Sequence, residues 1–412
     1  MTNLHFNFKD VFRAGRLGFS AKKMWVVFVG LLVAFIGYDI LTYLAYMLSG
    51  SDIGSVWDAF RLVPMYPVDF PWPWFAWIIY AVGALWWICV NLITGTAVSK
   101  ITYEQLKGDE FYEIKEAVKF AMKNGKSAIA APFVLILFII SLVVMGLILA
   151  LITRIPYFGQ LFLTIMAIPA FFVSIFILYL LIVTFVSLTI GPSIVGATGN
   201  DTFDTLFESF SVINDQPWRY IVYEFLLKLV IVLGVGILGF FAAKAIFLGN
   251  NIIGLIVPAD KLENIMANAA YYVKMAIPPI FPEWVQVNIV KYIEMIGMPN
   301  LLFPPEYMTS FESWAGAISS FVLGIIYYLI VLGVASLSCA IYWAGNTVIF
   351  TVLVRKKDDK NLLEIKEEIF EEKKDEKQEE KSAEEKKLKR PRKKEEEGEK
   401  SSEPPSEEKK DA

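Results

Sequence analysis

Six runs of apolar residues dominate the chain, at about 24–48, 74–99, 128–153, 161–190, 219–248 and 315–342. Each exceeds the ~20 residues that cross ~30 Å of hydrocarbon at 1.5 Å per residue. An open backbone edge finds no partner in lipid, so helices are the solution for runs of this length. The pattern predicts an all-α membrane protein with about six transmembrane helices. Pro169 is expected to kink the fourth. Trp25, Trp74, Trp77, Trp218 and Trp314 fall near span ends, where amphipathic rings favour the headgroup zone. The first run, from Met24, is too long for the h-region of a cleaved signal and is expected to stay as an anchor.

A second pattern lies between the spans, on one side. The segments 8-FKDVFRAGRLGFSAKK-23, 111-FYEIKEAVKFAMKNGK-126 and 203-FDTLFESFSVINDQPWR-219 each open on Phe, with apolar or small residues at helical spacing and charges on the other face. That is the pattern of a helix lying in the membrane interface. From opening Phe to closing cation they measure 15, 15 and 16 residues (23 − 8, 126 − 111, 219 − 203). A second marker recurs where the even-numbered spans end: 95-GTAV-98, 191-GPSI-194 and 345-GNTV-348. Together they predict three repeats of an interfacial elbow helix plus a helical hairpin. The expected organisation is an elbow at 1–23 and a six-span domain at 24–354. Further elbows lie near 103–124 and 202–214, and an external cap at 249–314. A cytoplasmic amphipathic helix at 355–372 and a disordered charged tail at 373–412 complete the chain.

Charge sharpens this division. From Arg355 onward lie 19 of the 38 Lys/Arg and 21 of the 42 Asp/Glu, so the rest of the 412 residues is far more apolar than the average of 56% suggests. The tail holds too little apolar surface to order itself, and its cluster 386-KKLKRPRKK-394 has interleaved acids that weaken attraction to anionic lipid. Lys and Arg gather before the first span, between the second and third, and after the sixth, which places both termini in the cytoplasm. A net charge of −4 without a basic stripe argues against nucleic acid as a partner. Cys89 and Cys339 both fall in apolar spans, so no disulfide framework is expected.

Candidate chemistry is sparse. Polar groups inside the spans are the first candidates, because a charge at mid-bilayer costs at least ~2.5–3.5 kcal/mol. These are Asp39, Asn91, Glu224, Lys228 and Lys244. Glu224 and Lys228 stand i,i+4 and are expected to pair with each other. Lys244 is expected to snorkel outward or to pair with Asp39 at similar depth. In the third elbow, Asp201 is read as an N-cap with Asp204 at N3, and Glu208 on the polar face; Asp201, Asp204 and Glu208 then form a docking face. The small-residue rows Gly316/Ser320/Gly324, Ser336/Ala340/Ala344 and Gly239/Ala243 read as helix-packing seams. His5 is the lone histidine, and no metal, cofactor or catalytic signature is found, so neither metal nor cofactor is expected.

The pattern of Gly199, Asp201, Phe203, Asp204 and Ser209, then Pro217-Trp218-Arg219 and Tyr223, resembles a family of uncharacterised bacterial multi-pass inner-membrane proteins. The segment 95-GTAVSKITYEQLKGDEFYEIKEAVKFAMKNGK-126, continuing to Ala131-Pro132, is similar to an earlier loop of that family. The resemblance covers about residues 75–235 and has no assigned activity behind it. It implies a bacterial inner-membrane location and the multi-span topology, and it supplies no catalytic residue. The functional expectation is a non-enzymatic scaffold or anchor, with membrane lipids around it and a protein partner on its tail or elbows. The alternative is a transporter or channel for a lipid or small substrate, with polar residues lining a path between repeats.

Overall fold

The computed structural model describes residues 4–65, 72–273, 308–311, 313–359 and 361–364. The chain divides into Met1–Asn361 and Leu362–Ala412. The second unit is described only at 362–364, where the chain turns. Residues 274–307 of the expected external cap, residues 365–372 of the expected amphipathic helix, and the tail all lie outside the described residues.

All regular structure among the described residues is helical. A 3-10 turn at Phe8–Phe12 leads into α1 (Arg13–Gly18), then α2 (Ala21–Leu48), α3 (Ile53–Phe60) and α4 (Trp74–Lys107). Next come α5 (Ile114–Ile152), α6 (Phe158–Thr198), α7 (Thr202–Asp215), α8 (Pro217–Gly254) and α9 (Ala259–Tyr272). The last is α10 (Trp314–Asp358). Six of these, α2, α4, α5, α6, α8 and α10, are long and apolar enough to cross a membrane. The protein is a multi-pass, all-α membrane protein. The end of the bundle where Arg355 stacks on Phe6 is called the basic face below, and the other end the distal face.

Several helices outrun a bilayer. With 39, 41 and 45 residues, α5, α6 and α10 are about 58–68 Å long. That excess changes the second expected elbow. No separate helix exists near 103–124: Tyr103–Lys107 close α4, and everything from Ile114 onward belongs to α5. The reason is local. Between Lys126 and Ala128 nothing forbids helix, and Gly125 alone costs only ~1 kcal/mol. The other two elbows are cut off by real breaks. Ser20 takes extended backbone ahead of α2, and Pro217 opens α8 at its first turn, where its missing N–H does no harm. The third elbow is α7, and Asp201 caps it, Oδ1 accepting the N–H of Asp204 at 2.9 Å. Helix α6 runs unbroken through Pro169 and Pro192.

The elbows bury mainly small residues, with Val11 and Ala121 of the apolar stripe among those buried, and leave phenylalanine rings exposed. Phe8, Phe12, Phe19, Phe111, Phe203 and Phe207 are all exposed, while Val11, Ala14, Leu17, Ala117, Ala121, Thr205 and Ser209 are buried. In lipid a bulky ring gains nothing by turning inward, and small residues let backbones approach. The rings are therefore left on the outside of the bundle and the small residues face it.

The spans pair in sequence, α2 on α4, α5 on α6 and α8 on α10, and the inner members α4, α6 and α10 touch one another. Of the recurring Gly-x-x-Val/Ile glycines, Gly95 packs at this crossing, whereas Gly191 faces Thr205 of α7 and Ala128 of α5, and Gly345 faces Leu227 of α8 and Ala14 of α1. Gly95 lies flat against the Trp343 indole, and a Cβ added there would stand 2.6 Å from the ring. A Cβ on Gly196 would meet Ser99 Cβ at 2.6 Å and the backbone nitrogen of Lys100 at 2.9 Å. Ser99 and Ser193 hydroxyls bond across the same crossing at 3.2 Å. Toward the distal face the second hairpin stands apart, with Leu147, Ile148, Phe171 and Phe172 all exposed.

On the distal face, α3 and α9 interlock: the Leu62 N–H donates to Tyr272 O at 3.4 Å, and Tyr271 Oη donates to Asp58 O at 3.1 Å. Helix α9 packs onto the small-residue row of α10, where a Cβ on Gly324 would reach Tyr272 Cβ at 2.8 Å. Ser320, Ser336, Ala340 and Ala344 are likewise buried, and Gly239 of α8 faces Val334 of α10. These rows serve packing within the chain.

Candidate functional site: polar groups inside the helical bundle

The acids and amines singled out from the sequence do not assemble into one site. Asp39 lies on α2, nine residues (48 − 39) or about 14 Å short of its distal end. Its Oδ1 is buried and has no hydrogen-bond partner. One turn below it Phe35 packs edge-on to Trp87 of α4, centroids 6.1 Å apart, and to Tyr328 of α10, 6.4 Å apart. One turn above it, Tyr43 donates to the carbonyl oxygen of Arg61. Tyr43 and Tyr328 both lie within electrostatic reach of the Asp39 carboxylate, and the Tyr328 hydroxyl is itself buried without a partner. Beside this group, Tyr38 Oη donates to Tyr80 Oη at 3.3 Å.

The expected pairing of Asp39 with Lys244 is not made. Lys244 is exposed and its ammonium lies over Phe240 and Phe247, rings of its own helix, at 5.5 and 5.7 Å. Lipid-facing α8 gives the lysine nearer, cheaper neighbours than a carboxylate on α2. Asn91 also satisfies itself locally, Nδ2 donating to Trp87 O at 2.8 Å.

Glu224 belongs to a second group near the basic face. It is 8% exposed, and Oε1 has no hydrogen-bond partner. Around it stand Tyr220, Asn346 and Tyr342, all within electrostatic or hydrogen-bonding reach. Tyr220 shares a 2.5 Å hydrogen bond with Thr189 of α6, and Asn346 Nδ2 donates to Tyr342 O at 3.2 Å. Lys228 does not close on Glu224 as the i,i+4 spacing suggests. It is exposed and attracts the carboxylate from a distance, with no N···O contact within 4 Å among the described ion pairs. Glu224 points into the crossing while Lys228, an exposed turn later, points to lipid or headgroups.

The acidic face of α7 is partly claimed by the chain itself. Lys357, at the end of α10, lies 4.0 Å from Glu208 and 3.7 Å from Asp215. Asp201 and Asp204 stay exposed. Among the described residues no group of three or more His, Cys, Asp or Glu could hold a metal ion.

Three further residues matter that sequence reasoning passed over. Lys23, expected only as a flanking positive charge, is fully buried, and its ammonium donates to Leu17 O and Gln105 Oε1, both at 2.8 Å. It thereby ties the end of α1 to the end of α4. Arg61 stands in a loop expected to be poor in cations, ion-paired to Asp58 at 2.8 Å and within 5.3–5.8 Å of the Trp57, Tyr271 and Tyr272 ring centroids. Tyr328 carries no signal in the sequence, since an aromatic in a span is ordinary.

The two polar groups are far apart. Tyr328 and Asn346 are 18 residues apart on α10 (346 − 328), about 27 Å. Between those levels Leu332, Ala340 and Trp343 are buried in one cluster with Leu31 and Leu92, and Leu337 and Ile341 are buried beside them on α10. Comparison with known protein families, curated proteins and solved structures yields no match.

Proposed function

We propose that this protein is a non-enzymatic membrane scaffold that presents α7 and its C-terminal region to a cytoplasmic partner. The observation that carries this reading is the separation of the Asp39 and Glu224 groups by a layer built on Leu31, Leu92 and Leu332, in which Asn91 and Ser336 donate to carbonyls of their own helices. A transport path needs polar positions in succession, and a catalytic site needs them side by side. The exposed acids Asp201 and Asp204, on a capped helix locked to α10 through Lys357, supply a rigid negative patch of the kind that steers a basic partner.

The same reading takes the chain as a bacterial inner-membrane protein of the uncharacterised family it resembles, with both termini cytoplasmic, supported by the Lys and Arg residues gathered at the basic face. It also takes the three hairpins as tandem units, supported by the sequential pairing of α2 with α4, α5 with α6 and α8 with α10.

The test is purification in mild detergent with quantitative mass spectrometry, comparing the native chain with Asp201→Lys/Asp204→Lys. A stoichiometric protein that is retained by the native chain and lost from the variant supports the scaffold. Co-purification of a bound lipid with no protein partner would instead favour transport. Reporter fusions at each loop check the orientation, and a periplasmic signal from the 199–216 segment would overturn it.

A further inference from the structure

A buried carboxylate oxygen without a donor is costly in a membrane, and Asp39 is not alone in lacking a partner. The Tyr328 hydroxyl, in electrostatic reach of it from α10, is also buried and unbonded. Two orphaned oxygens face one neighbourhood from two helices. No Lys or Arg among the described residues answers them: Lys244 lies over its own phenylalanines, and Arg61 is held by Asp58 and three rings.

The surroundings narrow what could answer. Phe35, Asp39 and Tyr43 occupy successive turns on one face of α2. Trp87 and Tyr328 face Phe35 from α4 and α10. A hard metal ion wants six or more oxygen ligands, whereas one carboxylate and a phenol among aromatic rings suit an organic ammonium, whose charge the rings can face. A primary ammonium adds N–H donors, which the two orphaned acceptors need and a quaternary ammonium lacks. The depth is suitable too, about 14 Å from the distal end of α2, with the Leu31/Leu92/Leu332 layer closing the way toward the basic face.

We propose that Asp39 and Tyr328, walled by Phe35, Tyr43 and Trp87, form a binding site for a protonated primary amine that enters from the distal side, as a free small molecule or as the headgroup of an aminolipid. The Asp39 carboxylate supplies the countercharge, the Tyr328 hydroxyl accepts a second N–H, and the rings face the remaining positive surface. This inference stands apart from the scaffold reading, because it concerns the distal half of the bundle and uses none of α7.

The test uses the purified full-length chain in an amine-free detergent. Thermal unfolding is followed with millimolar ethanolammonium chloride, with tetramethylammonium chloride and with sodium chloride at equal ionic strength. Micelles doped with phosphatidylethanolamine or phosphatidylglycerol form the lipid arm. The native chain should be stabilised by ethanolammonium or by phosphatidylethanolamine, and whichever acts identifies the source. Asp39→Asn should weaken the apparent affinity about tenfold or more, and Tyr328→Phe less. If Asp39→Asn does not fold, Tyr328→Phe and Trp87→Leu carry the comparison. Equal stabilisation of native chain and variants would overturn the site. So would an absence of any amine effect, with Asp39→Asn simply raising stability, the behaviour of a carboxyl that is neutral on its own. Stabilisation by tetramethylammonium alone would overturn the two-acceptor geometry.

Discussion

Gly196 offers a sharp test of how the inner helices are held. In Gly196→Ala the new methyl would stand 2.6 Å from Ser99 Cβ, 2.9 Å from the Lys100 nitrogen and 3.1 Å from the Ser99 carbonyl carbon. None of these is the far end of a flexible side chain, so relief requires α4 and α6 to separate. Overpacking of this kind costs ~1–3 kcal/mol, and rigid neighbours put it near the upper end. Replacing a helical glycine by alanine returns up to ~1 kcal/mol of propensity, leaving a net loss of about 2 kcal/mol. Gly236→Ala is the matched control: the same substitution on α8, where nothing lies within 4 Å of the added atom. It should be neutral or slightly stabilising. Equilibrium unfolding in mixed micelles, followed by tryptophan fluorescence, reads both. If Gly196→Ala is as stable as Gly236→Ala, then α4 and α6 do not approach as described.

Lys23→Met keeps the volume and removes two buried hydrogen bonds, leaving Leu17 O and Gln105 Oε1 unanswered; a loss of about 2 kcal/mol is expected in the same unfolding assay, and an unchanged curve would refute the tie between α1 and α4. Lys357→Glu should loosen α7 from α10, seen as faster amide exchange in α7, with an effect that shrinks at high salt; the cost stays at or below about 1 kcal/mol because the ion pairs are part-exposed. Arg61 has a positive φ of 51°, so Arg61→Gly should be milder than Arg61→Ala by about 1 kcal/mol, both losing the Asp58 pair and the ring contacts. Exchange at the Leu62 amide, which bonds to Tyr272 O, is the local readout, and the reverse ranking would dismiss the backbone argument.

Much of the fold was legible from hydropathy because crossing a membrane is a local demand. Twenty apolar residues must be helical wherever the rest of the chain lies, so six spans could be placed from the sequence. Asp201 as a cap was equally local, and it holds. The second elbow was misread for a related reason. Amphipathic periodicity reports which faces differ, and only a breaker such as Pro217 reports where a helix ends; between Lys126 and Ala128 there is none, so α5 continues.

Pairing of charges was not legible. Glu224 and Lys228 have the spacing of an ion pair, yet the direction of each side chain depends on which helix lies beside it. Asn346 and Tyr342 come from α10, more than a hundred residues away, and they draw Glu224 inward while Lys228 faces out. Asp39 and Lys244 share a depth and still do not meet, since depth along a helix says nothing of azimuth. Lys23 looked like one more cytoplasmic cation and proved to be the largest fully buried side chain.

The sequence by itself determined that the spans are helical, that six of them are long and apolar enough to cross a membrane, and where small residues allow close approach. Only the tertiary structure decided that Gly95 closes on Trp343 and Ser99 on Ser193 where α4, α6 and α10 meet, that Lys23 is fully buried, and that Asp39 and Tyr328 each keep a buried oxygen without a hydrogen-bond partner. Hydropathy is a property of each residue against lipid, whereas a partner is a property of two residues in space, and the folded chain alone brings those two together.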